Sequence, residues 1–317
     1  QGASFVGTCL AAAIACFVMG LYANWPVGMA PGMGLNAFFT YTVVGEMGYS
    51  WQIALGAVFL AGIIFVIMSV TRLRRWMLDS ISLDLRIAMG AGVGLFVGFI
   101  GLKSGGIIVA NGATFLSLGD FTKPQTLLAG LSFLSIAILS IRRVPGAIII
   151  GILGITSIAI AMDLVQFNGL VAPPPSLAPT LMQLDIVGAF DVAMISVIIA
   201  FLFVNLFDTA GTLLGVASRA GLVDEQGNAK NLDRALKADS SSSVLGAFFG
   251  CPPVTSYVES SAGVEAGGRT GLTAVVVGSL FLLAIFFSPL AVIVPAYATA
   301  GALIYVAILM LSGMEAL

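Results

Sequence analysis

The sequence of 317 residues contains no histidine, and only 9% of it is charged. The first absence removes the side chain that most often carries protons near neutral pH, so any proton chemistry must run through carboxylates. The second falls far below the roughly 25% charge of a soluble globular domain. With 59% hydrophobic residues and a mean hydropathy of +1.09, no water-soluble packing could hide so much apolar surface. The solvent must be lipid. Cysteine is scarce too. Cys9, Cys16 and Cys251 each lie in or beside an apolar run without zinc-ligand spacing, and read as small packing residues. No basic tail and no basic–aromatic interleaving exist, which leaves no case for nucleic acid. No metal or organic cofactor is implied. The chain opens on Gln1 with no positively charged segment ahead of the first apolar run, so nothing there resembles a cleavable signal peptide.

What is there is a series of apolar runs. A helix needs about 20 apolar residues to cross a bilayer. Eleven candidate spans follow: 5–22, 26–45, 51–70, 87–102, 125–141, 144–162, 190–216, 237–250, 253–267, 271–288 and 291–311. The expected fold is an all-α polytopic protein of the cell (inner or plasma) membrane. Basic residues orient it. With residue 1 near the outside, Arg72, Arg74, Arg75, Arg86, Arg142, Arg143, Arg219, Lys230, Arg234, Lys237 and Arg269 face the cytoplasm. Only Lys103 and Lys123 fall on the other side. The long loop 163–185, with Pro173, Pro174 and Pro175 and no basic residue, lands outside.

A shift of 226 residues lays Gly20 on Gly246 and Pro26 on Pro252, so that "GLYANWPVGMAPGMG" covers "GAFFGCPPVTSYVES". Both stretches run from an aromatic and a small residue through proline to a break rich in Gly, Pro, Ser or Thr. Spans one and two thus resemble spans eight and nine. Seven spans separate each from its copy, so the copies have opposite orientation, the inverted-repeat arrangement of secondary transporters. The expectation is a single transmembrane domain over 1–317, with 1–162 most of a first repeat and 186–317 part of a second. A seven-plus-seven fold of fourteen spans then leaves the first span and the last two outside this chain.

Asp208 lies in "VNLFDTAGTLLG", separated from Arg219 by ten residues and deep in a span. An ionisable residue there is costly and points to function, the plain alternative being a helix-end carboxylate that reaches the headgroups. Thr212, at i+4, shares its face; back-bonding to the helix is the alternative. Glu259 follows Pro252, Pro253 and a β-favouring stretch and lies near the start of a short half-helix, with Ser260, Ser261 and small residues suited to close packing after it. Exposed N–H groups at such a break are tolerated only where protein lines a cavity, and they offer donors to a polar ligand. "NWPVGMAPGMGLNAFF" has the same form, with Pro26, Gly28, Pro31, Gly32 and Gly34 breaking the span before Asn36. Asn36 offers both donor and acceptor, or is a plain N-cap. Gly90, Gly94 and Gly98 recur at the spacing of close helix packing. Asp224, Glu225, Asp233 and Asp239 lie in or next to a cytoplasmic loop, where solvation accounts for most of them, and Asp239, just ahead of Ser240–Ser243, reads as a cap for span eight. Glu265 and Arg269, four apart, read as a gating or anchoring pair.

The stretches "APGMGLNAFFTYTVV", "LFDTAGTLLGVA" and "YVESSAGVEAGGRTGLTAVVVG" closely resemble the purine-base permeases, the adenine/guanine/hypoxanthine branch of the nucleobase–cation symporters. The resemblance runs in order over essentially the whole chain. It implies fourteen spans in two inverted halves that form a core and a gate domain, with the second and ninth spans discontinuous. It further implies that Asp208 and Glu259 contact substrate together with Gly34 and Asn36. The related uracil carriers place a histidine one turn after the first carboxylate. Here that position is Thr212, so a carboxylate, Asp208 or Glu259, must couple the proton. The expected activity is secondary import of hypoxanthine, guanine or adenine by proton symport, with Thr212 and Ser260 completing the substrate site. Expected partners are the purine base, the lipid bilayer and a second copy in a homodimer. Alternatives are an anion carrier of the same fold, a uracil or xanthine carrier, or a membrane-embedded aspartyl enzyme.

Overall fold

The computed structural model describes residues 2–71, 83–166, 169, 171–224 and 229–312. Arg72, Arg74 and Arg75 of the basic set, and Glu225 of the acidic loop set, fall outside the described residues. In chain order the helices are α1 (Gly2–Val18), α2 (Met33–Ala37), α3 (Trp51–Val70), α4 (Leu83–Ser104), α5 (Pro124–Ile141), α6 (Ala147–Ala161), α7 (Val192–Ala220), α8 (Leu232–Phe248), α9 (Ser260–Glu265), α10 (Gly271–Ala284), α11 (Ser288–Ile293) and α12 (Ala296–Ser312). Short strands β1 (Met29–Pro31), β2 (Ile108–Asn111), β3 (Phe115–Leu118) and β4 (Val254–Ser256) interrupt them. Among the described residues, five helical stretches are long and apolar enough to cross a membrane unaided: Gly2–Ala23, Trp51–Val70, Pro124–Ile141, Val192–Ala220 and Gly271–Ile293. Each of the eleven expected spans coincides with a helical element, but 26–45 and 253–267 begin as strand.

By its contacts the chain divides into two compact units, Gln1–Arg86 with Pro173–Ser288, and Ile87–Ala172 with Pro289–Leu317. Nothing in the sequence marks this division, because both units are built from the same apolar helices.

In the first unit, α1 carries Ala11, Ala12, Ala13 and Ala15, all fully buried, and runs on as a π-helical turn, Met19–Ala23. Lipid is as apolar as a leucine side chain, so small residues that let backbones approach hold helices together in a membrane. Gly20 and Gly271 make such an approach: a Cβ on Gly271 would strike the Gly20 carbonyl. Asn24, in the left-handed conformation at φ 56°, ends the turn, and its Oδ1 accepts the Gly271 N–H at 2.8 Å. The chain then extends through Pro26 into β1. Trp25 is buried there, and its Nε1 donates to the Lys230 carbonyl at 2.9 Å. After α2 the helix widens into π geometry over Phe38–Glu46. A second core joins Leu55, Phe65, Met194, Phe201 and Leu206, with Phe38 edge-on to Phe201 at 5.2 Å.

Strands β1 and β4 pair antiparallel, Met29 with Ser256, Ala30 with Thr255 and Pro31 with Val254. Exchanging each residue for the one 226 positions away turns the Met29–Ser256 pair into Thr255–Ala30, which is itself a pair of the ladder. The register is therefore the one a two-fold relation between the two breaks requires. Gly32 donates its N–H to the Pro253 carbonyl at 3.1 Å and sits tightly, since a Cβ there would come to 3.0 Å from Thr255 Cγ2 and 3.2 Å from Leu35.

In the second unit, the Ser132 hydroxyl on α5 donates to the Ala298 carbonyl of α12 at 2.7 Å, and the Ser140 and Tyr305 hydroxyls hydrogen-bond to each other. Gly94 is buried and Gly98 faces Ala307, the packing role expected for those two glycines. Between α4 and α5 the chain forms a β2–β3 hairpin.

Candidate functional site

Two broken spans and one long helix of the first unit meet at a polar junction. The breaks follow from the sequence: Pro26, Pro31, Pro252 and Pro253 remove backbone donors, and the extended residues between them satisfy each other across the β1–β4 ladder. Helix α2 packs against α7. Gly32 is the N-cap of α2, so Asn36 is not a cap. It sits in the first turn, where its backbone N–H donates to the Gly32 carbonyl at 2.8 Å. Gly34 lies in that same turn, half-buried.

Asp208, on α7, and Glu259, between β4 and α9, are both exposed at the surface of the unit. Asp208 lies within electrostatic reach of Glu259 and of a third carboxylate, Asp239. Tyr257 lies within reach of Glu259 and Asp208, and its hydroxyl donates to the Pro31 carbonyl at 2.6 Å. The same carbonyl accepts the Asn36 Nδ2 at 3.4 Å, leaving Asn36 Oδ1 buried without a protein partner. The junction thus presents carboxylate acceptors and an amide acceptor together. Ser260, at the start of α9, accepts the Gly28 N–H at 3.0 Å and stitches the two broken spans together. Thr212 is buried. The hydroxyl that does reach across is Thr209.

Thr209 Oγ1 lies 2.6 Å from Asp239 Oδ2, 3.1 Å from Asp239 Oδ1 and 3.1 Å from Thr255 Oγ1. It has one proton, which goes to the carboxylate, so Thr255 donates to it. Ser256 also donates to Asp239, at 3.4 Å. One turn along, Ser243 Oγ donates to the Val254 carbonyl at 3.0 Å and so can only accept from Asn205 Nδ2, at 2.7 Å. That fixes the Asn205 amide and leaves its Oδ1 buried without a protein partner. These bonds tie α7 and α8 to β4, directly behind Asp208.

Asp239 departs from the sequence expectation. It is neither solvated nor a cap: it is fully buried inside α8, which starts at Leu232, two turns earlier than Asp239. Apolar residues at Leu232, Ala235, Leu236 and Ala238 carry the signal that would have moved the helix start. The pair expected between Glu265 and Arg269 is also replaced. Glu265 Oε1 meets Arg219 Nη1 at 3.0 Å, both side chains largely exposed, because the six-residue α9 packs against the end of α7. The cysteines are buried and free as expected, with the Cys16 thiol bridging the N–H and carbonyl of Met29.

Residues 3–317 match the model of the Permease family. The chain is 49% identical over 312 residues to the adenine permease AdeP of Escherichia coli (strain K12), covering 98% of this chain and 70% of that protein. It is 47% identical over 315 residues to the guanine/hypoxanthine permease PbuG of Bacillus subtilis (strain 168), covering 98% of this chain and 71% of that protein. Among solved structures it resembles the transmembrane domain of the cyanobacterial bicarbonate transporter BicA, with a TM-score of 0.71 at 17% identity over 98% of this chain and 89% of that one.

Proposed function

This chain belongs to the Permease family, and we propose that it imports purine nucleobases (hypoxanthine, guanine or adenine) across the cell membrane by proton symport, binding them at Asp208, Glu259 and Asn36. It is a multi-pass membrane transporter, not an enzyme. The observation that carries the substrate reading is the junction itself. Two carboxylates open to the surface stand with an amide oxygen that has no protein partner, all beside a paired break in two spans. A purine presents ring N–H groups on one edge and ring nitrogens or a carbonyl on another. Carboxylates and Asn36 Oδ1 accept from the N–H groups, and the second Nδ2 hydrogen of Asn36 is left to donate. The relatives named as adenine and guanine/hypoxanthine permeases support the same class.

The charge of the site supports a proton as the coupling ion. Asp208 lies within reach of both Glu259 and Asp239, and the charges acting on it are both negative. An anionic substrate is disfavoured there, although the fold is shared with a bicarbonate carrier; fold alone does not set substrate. A neutral base that enters with a proton keeps the loaded site closer to neutral than the base alone. In our reading Glu259 mainly recognises the base and Asp208 holds the proton, the two behaving as a coupled pair. Alternating exposure of the site then gives accumulation. The symmetry of the β1–β4 ladder supports the further reading that the two breaks are copies in inverted halves.

The test is uptake of radiolabelled hypoxanthine, guanine and adenine into cells, with and without a protonophore. Protonophore-sensitive uptake that disappears in Glu259→Ala is expected. Asp208→Asn should lose accumulation yet retain exchange of base down its own gradient. Full proton-driven accumulation by Asp208→Asn would remove Asp208 from coupling. No uptake of any purine by protein present in the membrane would overturn the substrate.

A further inference from the structure

We infer that the β2–β3 hairpin of the second unit is a membrane-interface anchor, seated among phospholipid headgroups and upper acyl chains. Its register puts Ile108, Ala110, Leu116 and Leu118 on one face, and Val109, Asn111, Phe115 and Ser117 on the other. Neither face carries a charge, and the apolar side chains stand outward: Phe115 is 86% exposed, Leu118 77% and Leu116 45%. A two-stranded hairpin standing alone in water is marginal at best, and exposed apolar surface of this kind marks a contact.

The hairpin is nevertheless rigidly made. Asn111 Oδ1 accepts the N–H groups of Ala113 and Thr114 at 2.8 and 3.2 Å, and the Thr114 hydroxyl donates to the Leu116 carbonyl at 2.8 Å. At its base the Gly119 N–H donates to the Ile107 carbonyl at 2.9 Å, and a Cβ on Gly119 would strike the Gly106 carbonyl. Phe115 itself is held at φ 62°, a left-handed conformation unfavourable for a bulky residue. The fold thus holds a strained backbone that turns a phenyl ring outward. In water both features are unfavourable; at a lipid interface burial of the ring offsets the strain.

Lipid is the occupant that the surroundings favour. The hairpin leads through Phe121, 48% exposed, into α5, whose outer face carries Leu127, Leu131, Leu134 and Ile138, between 45% and 56% exposed. That spacing is one stripe of a membrane-crossing helix, so the apolar surface of the hairpin continues a bilayer-facing one. Lys103 at the end of α4 and Lys123 at the start of α5, both exposed, flank it at headgroup level, where lysines reach phosphates.

The experiment attaches a nitroxide at Phe115→Cys, Leu118→Cys and, as a bilayer-facing reference, Leu131→Cys, in vesicles of phosphatidylcholine. The native cysteines are buried, and the unsubstituted protein serves as the blank. Collision with oxygen is compared with collision with a water-soluble nickel chelate. Oxygen exceeding nickel several-fold at 115 and 118, as at 131, supports the anchor. Nickel exceeding oxygen would place the hairpin in water and overturn it. Exclusion of both reagents would also overturn it, since protein, from a second copy or another stretch of chain, would then cover the site. Should a cysteine variant fail to fold, Phe115→Trp keeps an aromatic ring. Quenching of its added fluorescence by lipid brominated high on the acyl chain is then expected, and absence of quenching would refute the anchor.

Discussion

Thr209 is a hydroxyl on which the junction depends, and Thr209→Val removes it with almost no change of shape. The Thr209 proton goes to Asp239 at 2.6 Å, and its lone pair receives the Thr255 proton at 3.1 Å, both within a fully buried cluster. A hydrogen bond to a charged group contributes about 1.5–3 kcal/mol, and a buried donor left without its acceptor costs about 1–3 kcal/mol. The variant should therefore lose roughly 2.5–6 kcal/mol if nothing relaxes, and about 3 kcal/mol with some rearrangement around Thr255. For chains of this size a loss of 1 kcal/mol lowers the melting temperature by about 2–4 °C, so a fall of roughly 6–12 °C is expected. The protein supplies its own reporter. Cys9, Cys16 and Cys251 are buried and free, so a thiol-reactive dye brightens only as the fold opens. Thr209→Ser keeps the hydroxyl and loses one methyl, which should cost about 0.5–1.5 kcal/mol by analogy with Ile→Val. If Thr209→Val melts with Thr209→Ser, within a degree or two, the hydroxyl does not hold the buried carboxylate and the account of the junction is wrong.

Other perturbations follow from the same geometry. Asn36→Ala should lose purine uptake at least tenfold with only a small fall in melting temperature, because the removed oxygen has no partner within the protein and the Pro31 carbonyl, which loses the long Nδ2 bond, keeps the Tyr257 hydroxyl; a fall in stability of the same order as in Thr209→Val would refute this. Gly271→Ala places a methyl group on the Gly20 carbonyl and should abolish the monodisperse detergent-extracted protein seen by size-exclusion chromatography. Gly211→Ala, with open space around its Cβ on helix α7, should instead stabilise by up to about 1 kcal/mol through helix propensity. Arg219→Gln breaks an exposed ion pair and should shift stability by no more than about 1 kcal/mol, with transport intact; a large loss would mean that the Arg219–Glu265 contact is not merely a surface one.

Composition alone determined the solvent, because a chain with 59% hydrophobic and 9% charged residues has no other place to put its surface. The breaks were legible for a local reason: proline removes a donor whatever lies around it, so Pro26, Pro31, Pro252 and Pro253 mark interrupted spans without any tertiary knowledge. Asp208, Glu259 and Asn36 were legible as well, since a polar side chain inside an apolar run stands out by contrast. Asp239 had no such contrast. It follows a polar segment and precedes four serines, and only the packing of α8 against α7 and β4 buries it. Thr209, on another face of α7 from Thr212, was not legible either, because its partners Asp239 and Thr255 come from α8 and β4. The Arg219–Glu265 pair, the β1–β4 register and the hairpin between α4 and α5 likewise depend on which distant segments meet. Local chemistry fixes where a chain must break and what it can offer a ligand. Which of those offers are spent within the protein, and which remain, is decided only when the backbone brings its partners together.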